Sequence, residues 1–276
     1  MMSTEAPVGR LVVCPTPIGN LEDITLRALS ELAGADVIAC EDTRHSRVLL
    51  DRHGIGGRVI SLHEHNEAQR AGEIAGRIAA GEVVALISDA GTPLVSDPGY
   101  ALVRECTSRG LPVEVLPGAS SVITALVASA LPCGRWRFVG FLPRTRGEIL
   151  SLLQTQETTV AFESPRRLAG TLALIAAAEP GRELAVCREL TKLHEDVRRG
   201  SASELAAHYA ASPARGEVVL VCGPAPPAPA DGGAAAEAVS ELVAAGARPR
   251  AAAAAVARLT GLRANELYRG LLEPDE

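Results

Sequence analysis

The chain has 276 residues, of which 47% are hydrophobic and 22% charged, a composition typical of a globular protein with one large or two medium domains. Its net charge of −6 and pI near 5.6 exclude a globally basic nucleic-acid-binding protein, so any nucleic-acid contact must use a local patch. No apolar run approaches the ~20 residues of a membrane-spanning helix, and residues 1–9 lack the apolar segment of a signal peptide. We therefore expect a cytoplasmic protein with no membrane contact.

The first 130 residues alternate short apolar runs with helical patterns. Strands are predicted near 10–14, 36–40, 58–62, 83–87 and 113–116. Helices are predicted near 21–33, 43–51, 67–80, 98–109 and 119–129. This alternation predicts a mostly parallel sheet with helices on both faces. Because Leu131-Pro132-Cys133-Gly134 interrupts the pattern, we place a first α/β domain at 1–131 and a second at 132–223.

Three loops in this half follow the predicted carboxyl ends of strands, where open α/β sheets bind their ligands. They cover residues 15–20, 88–99 and 116–121. The longest, 88–99, consists almost wholly of Asp, Gly, Thr, Pro and Ser, and its two Gly and two Pro fix the backbone for close approach to a ligand. In the third, Ser120 and Ser121 can cap the following helix and present its N–H groups. The loops predict a shared pocket, with a turn-rich connection as the alternative.

The second half has strands predicted at 136–141, 158–163, 183–188 and 216–222. Its helices are predicted at 145–154, 165–178 and 201–211. A Pro/Gly-rich linker follows at 224–233, and then an alanine-rich helical C-terminal region at 234–276. Within that region, short basic helices at about 249–259 and 263–272 outline a helix-turn-helix. Such a pair can contact a phosphate backbone, or it can be a solvated helical hairpin that closes the fold.

Familiar catalytic signatures are absent from the sequence. It has no GxxxxGK[ST], no GxGxxG after the first strand, no GxSxG and no HExxH. The six cysteines form no CxxC or Cys/His cluster, which predicts reduced, structural thiols and no metal site. The inferred pocket is rich in backbone groups and poor in nucleophiles, so it suits a small polar cofactor held in line with an acceptor.

Polar side chains follow several of the strands. Asp42 or Thr43 is expected to cap the next helix, whereas Arg44 and Arg47 can bind phosphate. The segment 63–67, His-Glu-His-Asn-Glu, is interpreted as a substrate-facing loop because it has no further metal-ligand partners in sequence. Later strands are followed by Glu163, Arg166 and Arg167 and by Arg188, Glu189 and Lys192. A carboxylate among such basic groups can accept a proton or can simply be ion-paired.

Lys192 is the single lysine of a chain that otherwise uses 26 arginines as its cations. Because lysine and arginine differ in shape, hydration and readiness to lose a proton, its retention suggests that a compact ammonium is needed there. A chance surface lysine is the equally weighted alternative.

Taken in order, several motifs resemble the ribosomal RNA small-subunit methyltransferase I family, of the tetrapyrrole-methylase-like S-adenosylmethionine enzymes. The motifs are PTPIGNLEDITLRAL, ACEDTRHSRVLL, HEHNE, LISDAGTPLVSDPGY, PGASS, FLPR, FESPRR and RELTKLHE. The match runs from about residue 10 to 223, and the tail matches the family's helical C-terminal region. The resemblance implies two α/β domains of the class III methyltransferase type with the cofactor in the cleft between them, and a homodimer. It also implies 2′-O-methylation of a cytidine ribose in 16S RNA of the small ribosomal subunit.

Carried over by position, the resemblance implies cofactor contacts from all three loops and from three residues of the second domain. These are Pro17, Ile18, Gly19, Asp89, Gly91, Thr92, Val95, Ser120, Ser121, Phe162, Cys187 and Gly216. The expected mechanism is in-line displacement, in which the ribose oxygen attacks the methyl carbon as a base takes its proton, without a metal. From chemistry rather than resemblance, the catalytic candidates are Glu163, Arg188, Glu189 and Lys192.

RNA contacts are expected from arginines near the strand ends and in the helical tail. These are Arg44, Arg47, Arg166, Arg167, Arg250, Arg258 and Arg263. Two alternatives stay open: a methylase of tetrapyrrole or corrin precursors, and a non-catalytic RNA-binding factor of ribosome assembly. The first does not need the Glu-Asp-Thr-Arg segment or a basic tail, and the second does not bind the cofactor.

Overall fold

The computed structural model describes residues 9–226 and 232–271. The chain divides into two compact units, Met1–Pro224 and Ala225–Glu276. The first unit contains both β-sheets, and the second contains helices alone among its described residues. The residues 1–8, the central part of the predicted linker at 227–231, and the end of the predicted tail at 272–276 lie outside the described residues.

The first sheet has five parallel strands in the order β3-β2-β4-β1-β5. They are Arg10–Val13 (β1), Val37–Cys40 (β2), Arg58–Ser61 (β3), Val83–Leu86 (β4) and Val113–Val115 (β5). Leu11 and Val13 pack into one apolar cluster and Val12 and Cys14 into another, so the sheet is buried on both faces. This confirms the predicted parallel sheet with helices on both sides.

Five helices accompany this sheet: Leu26–Gly34 (α1), Thr43–Arg52 (α2), Glu67–Ala79 (α3), Tyr100–Ser108 (α4) and Ser121–Ser129 (α5). The helix predicted at 21–33 was too long, because the chain forms a 3-10 turn at Leu21–Asp23 and only then begins α1. Thr25 caps α1 by accepting a hydrogen bond from the Ala28 N–H. Helix α4 starts at Tyr100 rather than 98 because Gly99 has a φ of +125°, outside the helical region.

The second sheet has the order β6-β7-β10-β8-β9, with β6 and β7 parallel and every other pair antiparallel. Its strands are Trp136–Phe141 (β6), Thr158–Glu163 (β7), Glu183–Arg188 (β8), Asp196–Ser201 (β9) and Val218–Cys222 (β10). Strand β9 was missed by the sequence analysis. Its sequence, Asp-Val-Arg-Arg-Gly-Ser, is charged, as is common for a strand at the edge of a sheet that pairs with one neighbouring strand, here β8.

Helices cover both faces of the second sheet. Arg146–Leu153 (α6), Pro165–Ala178 (α7) and Ala202–Ala211 (α8) pack on one face around a large apolar cluster. On the other face lies α5 from the first half of the chain, whose Val122, Ala125 and Leu126 pack against Val160 and Val219. Helix α5 therefore joins the two sheets, and its first residues lie where the sheets meet. The predicted domain boundary at 131/132 falls between α5 and β6, and the division into two domains stays a prediction.

The described residues of the second unit form three short helices, Gly232–Ala244 (α9), Pro249–Thr260 (α10) and Ala264–Gly270 (α11). Ala235, Val239, Ala253, Val256 and Leu267 form its core. Gly261 ends α10 in the left-handed conformation, with a φ of +73°. The two basic helices predicted from the sequence are thus present, and α9 packs against both.

Within the described residues, no helix has the length and apolar character needed to cross a membrane. All six cysteines are free thiols, and Cys133 alone among them is exposed. Burial raises the pKa of Cys14, Cys187 and Cys222 to about 12. These thiols stay protonated near neutral pH, as expected for structural cysteines.

Arg182 is an anchor at the end of β10. Its side chain is 1% exposed, and the guanidinium donates from Nε and Nη2 to the Gly223 carbonyl at 3.0 and 2.8 Å. Nη1 also pairs with the Glu179 carboxylate at 3.0 Å. Because Arg182→Ala leaves the buried Gly223 carbonyl without its side-chain donor and removes the cation beside the Glu179 carboxylate, we expect it to lower the free energy of unfolding by about 3–5 kcal/mol. Urea denaturation measures this.

Arg135→Ala is the matched control, because it breaks an exposed pair with Glu157 at 3.5 Å and should cost under ~1 kcal/mol. Equal losses in the two variants would contradict the structural role of Arg182.

Candidate functional site

A cavity of about 500 Å³ lies where the carboxyl-end loops of the first sheet meet the second sheet. From the first sheet and α5 it is lined by Ala90, Gly91, Thr92, Val95, Ser96, Asp97, Ser120, Ser121 and Val122. From the second sheet it is lined by Phe141, Phe162, Glu163, Ser164, Pro165, Gly216, Glu217, Val218 and Val219. Seven residues predicted as cofactor contacts therefore lie on one surface: Gly91, Thr92, Val95, Ser120, Ser121, Phe162 and Gly216.

The first and second loops are joined by paired backbone hydrogen bonds. The Thr16 N–H donates to the Gly91 carbonyl at 2.8 Å, and the Gly91 N–H donates to the Thr16 carbonyl at 3.0 Å. The Thr16 hydroxyl also donates to the Ser88 carbonyl at 3.0 Å. Thr16 is 2% exposed, so these bonds satisfy polar groups that water does not reach.

The second loop is also tied to the third loop and to α3. The Thr92 hydroxyl donates to the Ala119 carbonyl at 3.1 Å. At the far end of the loop, the Gly99 N–H donates to the Glu67 carboxylate at 2.6 Å. The loop is thus held at its start, middle and end by hydrogen bonds to other parts of the chain.

The middle of the second loop has a strained backbone. Leu94 and Ser96 have φ angles of +72° and +66°, a region that residues other than glycine rarely occupy. Such strain persists only where the surroundings fix it, and it concentrates at functional sites. Here it precedes Asp97, whose side chain lines the cavity.

Asp97 is a half-buried carboxylate among other acids. Burial and, to a lesser extent, the charges of Glu41 and Asp89 together raise the pKa of Asp97 to about 6, against the opposing effect of the Ser88 hydroxyl. Burial, followed by the charge of Asp89, likewise raises the pKa of Glu41. No cation pairs with Asp97 among the residues that the structure describes. The cavity therefore offers an unneutralised negative charge.

Glu163 also lines the cavity, but both of its oxygens are engaged. Oε1 accepts from the Ser164 N–H at 2.7 Å and lies 3.4 Å from Nε of Arg167, and Oε2 accepts from the Thr171 hydroxyl at 2.6 Å. Its side chain is fully buried. This arrangement favours a structural anchor between β7 and α7. A catalytic role for Glu163 stays a prediction.

Glu189 and Lys192 form a charged network beside the cavity. The Lys192 Nζ lies 3.1 Å from Glu189 Oε1 and 3.2 Å from Glu217 Oε2, and Glu189 Oε1 also accepts from the Glu217 N–H at 2.8 Å. That N–H bond is the main reason why the pKa of Glu189 is lowered, with Lys192 adding to it. Burial alone would lower the pKa of Lys192, but its bonds to Glu189 and Glu217 raise it on balance. Lys192 therefore holds its proton.

Two glycines allow this network to pack closely. A Cβ on Gly19 would lie 2.5 Å from the Lys192 Cγ, and the adjacent Asn20 N–H donates to the Thr191 hydroxyl at 3.0 Å. A Cβ on Gly216, which has a φ of +77°, would overlap the carboxyl group of Glu189. The first loop thus contacts the second sheet through backbone that tolerates no side chain.

The other predicted cofactor residues lie close to the cavity rather than on it. Ile18 and Cys187 line a small adjoining cavity of about 20 Å³ together with Glu189 and with Ser121 and Glu217, which also line the main cavity. Pro17 is buried in the first loop, and the Asp89 carboxylate accepts from the Asp42 N–H at 3.2 Å. All of these assignments stay predictions.

Helix α5 begins at the cavity. Ser120 occupies its N-cap position, but its side chain makes no capping hydrogen bond. The expectation that this serine caps the helix was therefore wrong. The expectation for Asp42 is confirmed, because its carboxylate caps α2 by accepting from the Arg44 N–H at 2.8 Å. The positive end of the α5 dipole therefore lies at the cavity, and its charge is opposite to that of Asp97.

The predicted RNA-contacting arginines differ in availability. Arg166 is exposed and has no carboxylate partner among the described residues, whereas the Arg167 guanidinium is bonded to the carbonyls of Leu142 and Pro143. Arg44 is exposed beside Asp42, and Arg47 is half-buried. Among the catalytic candidates, Arg188 lies 3.6 Å from Asp196 and outside the cavity lining.

In the helical unit, Arg250 lies over the Tyr268 ring, 5.5 Å from its centroid. Arg263 pairs with Glu266 at 2.5 Å, and Arg258 is exposed. These placements leave the three residues accessible, and their role as RNA contacts stays a prediction.

Ten residues that line the cavity were not named as site candidates from the sequence, and three of them carry a charged or aromatic side chain: Asp97, Phe141 and Glu217. Asp97 stands inside the Asp/Gly/Thr/Pro/Ser loop, so its position could have been noted. Phe141 and Glu217 carry no signal of their own in the sequence. In the described part of the chain, no group of three or more His, Cys, Asp or Glu side chains is arranged to hold a metal ion.

Comparison with known proteins gives concordant results. Residues 10–206 match the family described as Tetrapyrrole (Corrin/Porphyrin) Methylases. The chain is 48% identical to ribosomal RNA small subunit methyltransferase I of Mesorhizobium japonicum over 269 residues, which cover 95% of this chain and 91% of the relative. It is 40% identical to the protein of that name from Escherichia coli O157:H7, with 98% and 97% of the two chains covered.

Solved structures share the fold of the first unit. One is uroporphyrin-III C-methyltransferase from Thermus thermophilus complexed with S-adenosylhomocysteine, with a TM-score of 0.56 at 20% identity. The match covers 78% of this chain and 97% of that one.

Gly216→Ala tests the close packing beside the cavity. The new Cβ must displace the Glu189 carboxylate, which then loses its bonds to the Glu217 N–H and to Lys192. We expect the free energy of unfolding, measured in urea, to fall by ~2 kcal/mol more than the strained φ alone would cost.

Gly110→Ala is the control, because its φ of +69° is similar and a Cβ there meets nothing within 4 Å. It should cost about 1 kcal/mol. The same loss in both variants would show that Glu189 does not depend on Gly216.

Proposed function

Because the chain belongs to the ribosomal RNA small subunit methyltransferase I family, we propose that it transfers a methyl group from S-adenosylmethionine to RNA of the small ribosomal subunit. In finer detail, we propose the 2′-hydroxyl of a cytidine ribose in 16S RNA as the acceptor. The relatives' name supports the reaction class, and the expectation for the acceptor comes from the motif resemblance. A homodimeric state and a cytoplasmic location are part of the same expectation and stay predictions.

The charge pattern of the cavity supports the cofactor assignment most directly. S-adenosylmethionine carries a positive sulfonium, a positive ammonium and a negative carboxylate. The cavity offers the unpaired Asp97 carboxylate for a cation and the uncapped start of α5, at Ser120 and Ser121, for an anion. A volume of about 500 Å³ lies within the range of small-molecule sites.

The residues of this chain act mainly by positioning. When bound, S-adenosylmethionine would supply an electrophilic methyl group already activated by the positive sulfur. Gly91, Thr92 and Ser121 line the cavity with backbone fixed by hydrogen bonds, so a bound molecule is held in one orientation without reorganising the loops. Asp97 would hold the cationic part, and Glu217 is a second carboxylate on the surface.

RNA as acceptor is supported by local basic groups on a chain with a net charge of −6. Arg166 directly follows the cavity residue Pro165, is exposed, and has no carboxylate partner within the described residues. Arg250, Arg258 and Arg263 place further positive charge on the helical unit. A tetrapyrrole carries several carboxylates and would also favour arginines, so the acceptor must be tested directly.

Asp97→Asn removes the negative charge proposed to hold the cofactor. We expect its affinity for S-adenosylmethionine, measured by calorimetry on the full chain, to fall by at least about tenfold, the loss of a charged hydrogen bond. Asp51→Asn, an exposed site on α2, changes the net charge equally and should leave affinity unchanged. Unaltered binding by Asp97→Asn would remove this side chain from the cofactor site.

The same carboxylate predicts a pH dependence. Because the pKa of Asp97 is raised to about 6, the group is ionised at pH 8 and becomes neutral as the pH falls through 6. Affinity for S-adenosylmethionine should therefore be full above pH 7 and decline below pH 6, with proton release on binding at the lower pH. A flat profile for the unaltered chain between pH 5 and 8 would contradict this.

Methyl transfer itself separates the candidate functions. With labelled S-adenosylmethionine, the RNA of small ribosomal subunits should take up label that alkaline hydrolysis releases in a dinucleotide, because a methylated 2′-oxygen cannot cleave the adjacent phosphodiester; label on a base would instead appear in a mononucleotide. Mass analysis of nuclease digests then gives the nucleotide. Label in a tetrapyrrole but not in subunits would favour the porphyrin or corrin alternative. Binding of subunits without cofactor uptake would favour an assembly factor.

A further inference from the structure

All three phenylalanines of the chain lie together, and two of them, Phe141 and Phe162, line the cavity. The Phe162 ring is 5.0 Å from that of Phe138 and 5.4 Å from that of Phe141, both in edge-to-face geometry. Phe138 and Phe162 are half-buried against the apolar cluster beneath α5. Phe141 is different, because it lines the cavity and 62% of it is exposed. A chain with 3% aromatic residues thus exposes a large aromatic ring at its candidate active site.

A β-bulge directs Phe141 to this position. Phe138 pairs with Val160 and Phe141 pairs with Phe162, so three residue steps on β6 oppose two on β7. Gly140, at a φ of +67°, supplies the left-handed residue that the bulge needs. Without the extra residue, Phe138 and Phe141 would point to opposite faces of the sheet. With the extra residue, Phe138 and Phe141 lie on the same face of the sheet as their partners Val160 and Phe162, which is the face toward the cavity.

Three arginines follow the aromatic residues in the chain. Arg144 and Arg146 come directly after β6, and Arg166 is the second residue of α7, next to the cavity residue Pro165. All three are exposed, and no ion pair involves them among the residues that the structure describes. Arg167, by contrast, is bonded to carbonyls and to Glu163, so its guanidinium is not available to a phosphate.

We propose that Phe141 is a stacking platform for a nucleobase of single-stranded RNA at or next to the methylated nucleotide, with Arg144, Arg146 and Arg166 binding the flanking phosphates. An exposed aromatic ring beside unpaired guanidinium groups is the combination by which proteins bind unpaired nucleotides. The inference rests on the proposed function, since it assumes an RNA acceptor. It assigns the acceptor side of the cavity to β6 and α7, and the cofactor side to the loops of the first sheet.

Steady-state methylation of small ribosomal subunits by the full chain tests this. Phe141→Ala should raise the KM for subunits by about 5- to 100-fold, the range for loss of one stacked base. Phe141→Trp, which keeps an aromatic surface, should stay within about threefold of the unaltered chain. Neither variant should change the affinity for S-adenosylmethionine in calorimetry. Because the ring is largely exposed, both variants should fold, and urea denaturation checks that they do.

The arginines are tested through salt dependence. Arg144→Ala, Arg146→Ala and Arg166→Ala should each reduce by about one the slope of log KM against log salt concentration. Arg58→Ala is the matched control, because Arg58 is exposed at the amino end of β3, the opposite end of the sheet from the cavity. It should leave the slope unchanged.

The outcomes separate the inference from the proposed function. An unchanged KM in Phe141→Ala, with methylation by the unaltered chain intact, overturns the stacking role alone. A loss of affinity for S-adenosylmethionine in Phe141→Ala assigns the ring to the cofactor and likewise overturns it. Absence of RNA methylation by the unaltered chain overturns the proposed function, and the stacking role with it.

Discussion

The paired backbone hydrogen bonds between Thr16 and Gly91 are the interaction on which the candidate site depends. They join the loops after β1 and β4, the neighbouring central strands of the first sheet, at a point that water does not reach. Since buried backbone groups must be paired, the loops cannot move apart without leaving polar groups unsatisfied. Gly91 is suited to this position because its φ of +77° lies in the left-handed region.

The remaining parts of the site follow from this pairing. Thr92 connects the joined loops to the start of α5, and α5 packs its apolar side on the second sheet. The position of the second sheet relative to the loops is therefore set by one helix and by the close contact of Gly19 with Lys192. Glu189 and Thr191, which are not glycines, have φ angles of +50° and +64° at this contact. Fixed geometry of this kind lowers the cost of orienting two reactants.

Much of the first sheet and of the loops could be predicted from the sequence, because the signals are local. Short apolar runs fix the strands, and Gly, Pro and Asp mark the loops at their ends. Strand β9 could not be predicted in this way, since its charged sequence reflects a position at the sheet edge. The helix break at Ile24-Thr25 depends on a capping bond that competes with helix continuation.

Side-chain roles were less predictable, because they depend on residues distant in sequence. Lys192 is the sole lysine of the sequence, and the structure places its ammonium between Glu189 and Glu217. This position favours the interpretation that the site needs a compact cation over the interpretation that the lysine is there by chance. Glu163 and Asp97 are both acids after strands, yet one is fully paired and the other is not. Only the tertiary contacts distinguish them.

A crystal structure of the chain with S-adenosylhomocysteine would show whether the joined loops hold the cofactor. We expect the ligand in the 500 Å³ cavity, against the backbone of residues 91–97 and 120–122, with the Thr16–Gly91 hydrogen bonds unchanged. A ligand bound elsewhere, or a second loop that rearranges and breaks its bonds to Thr16 on binding, would contradict it.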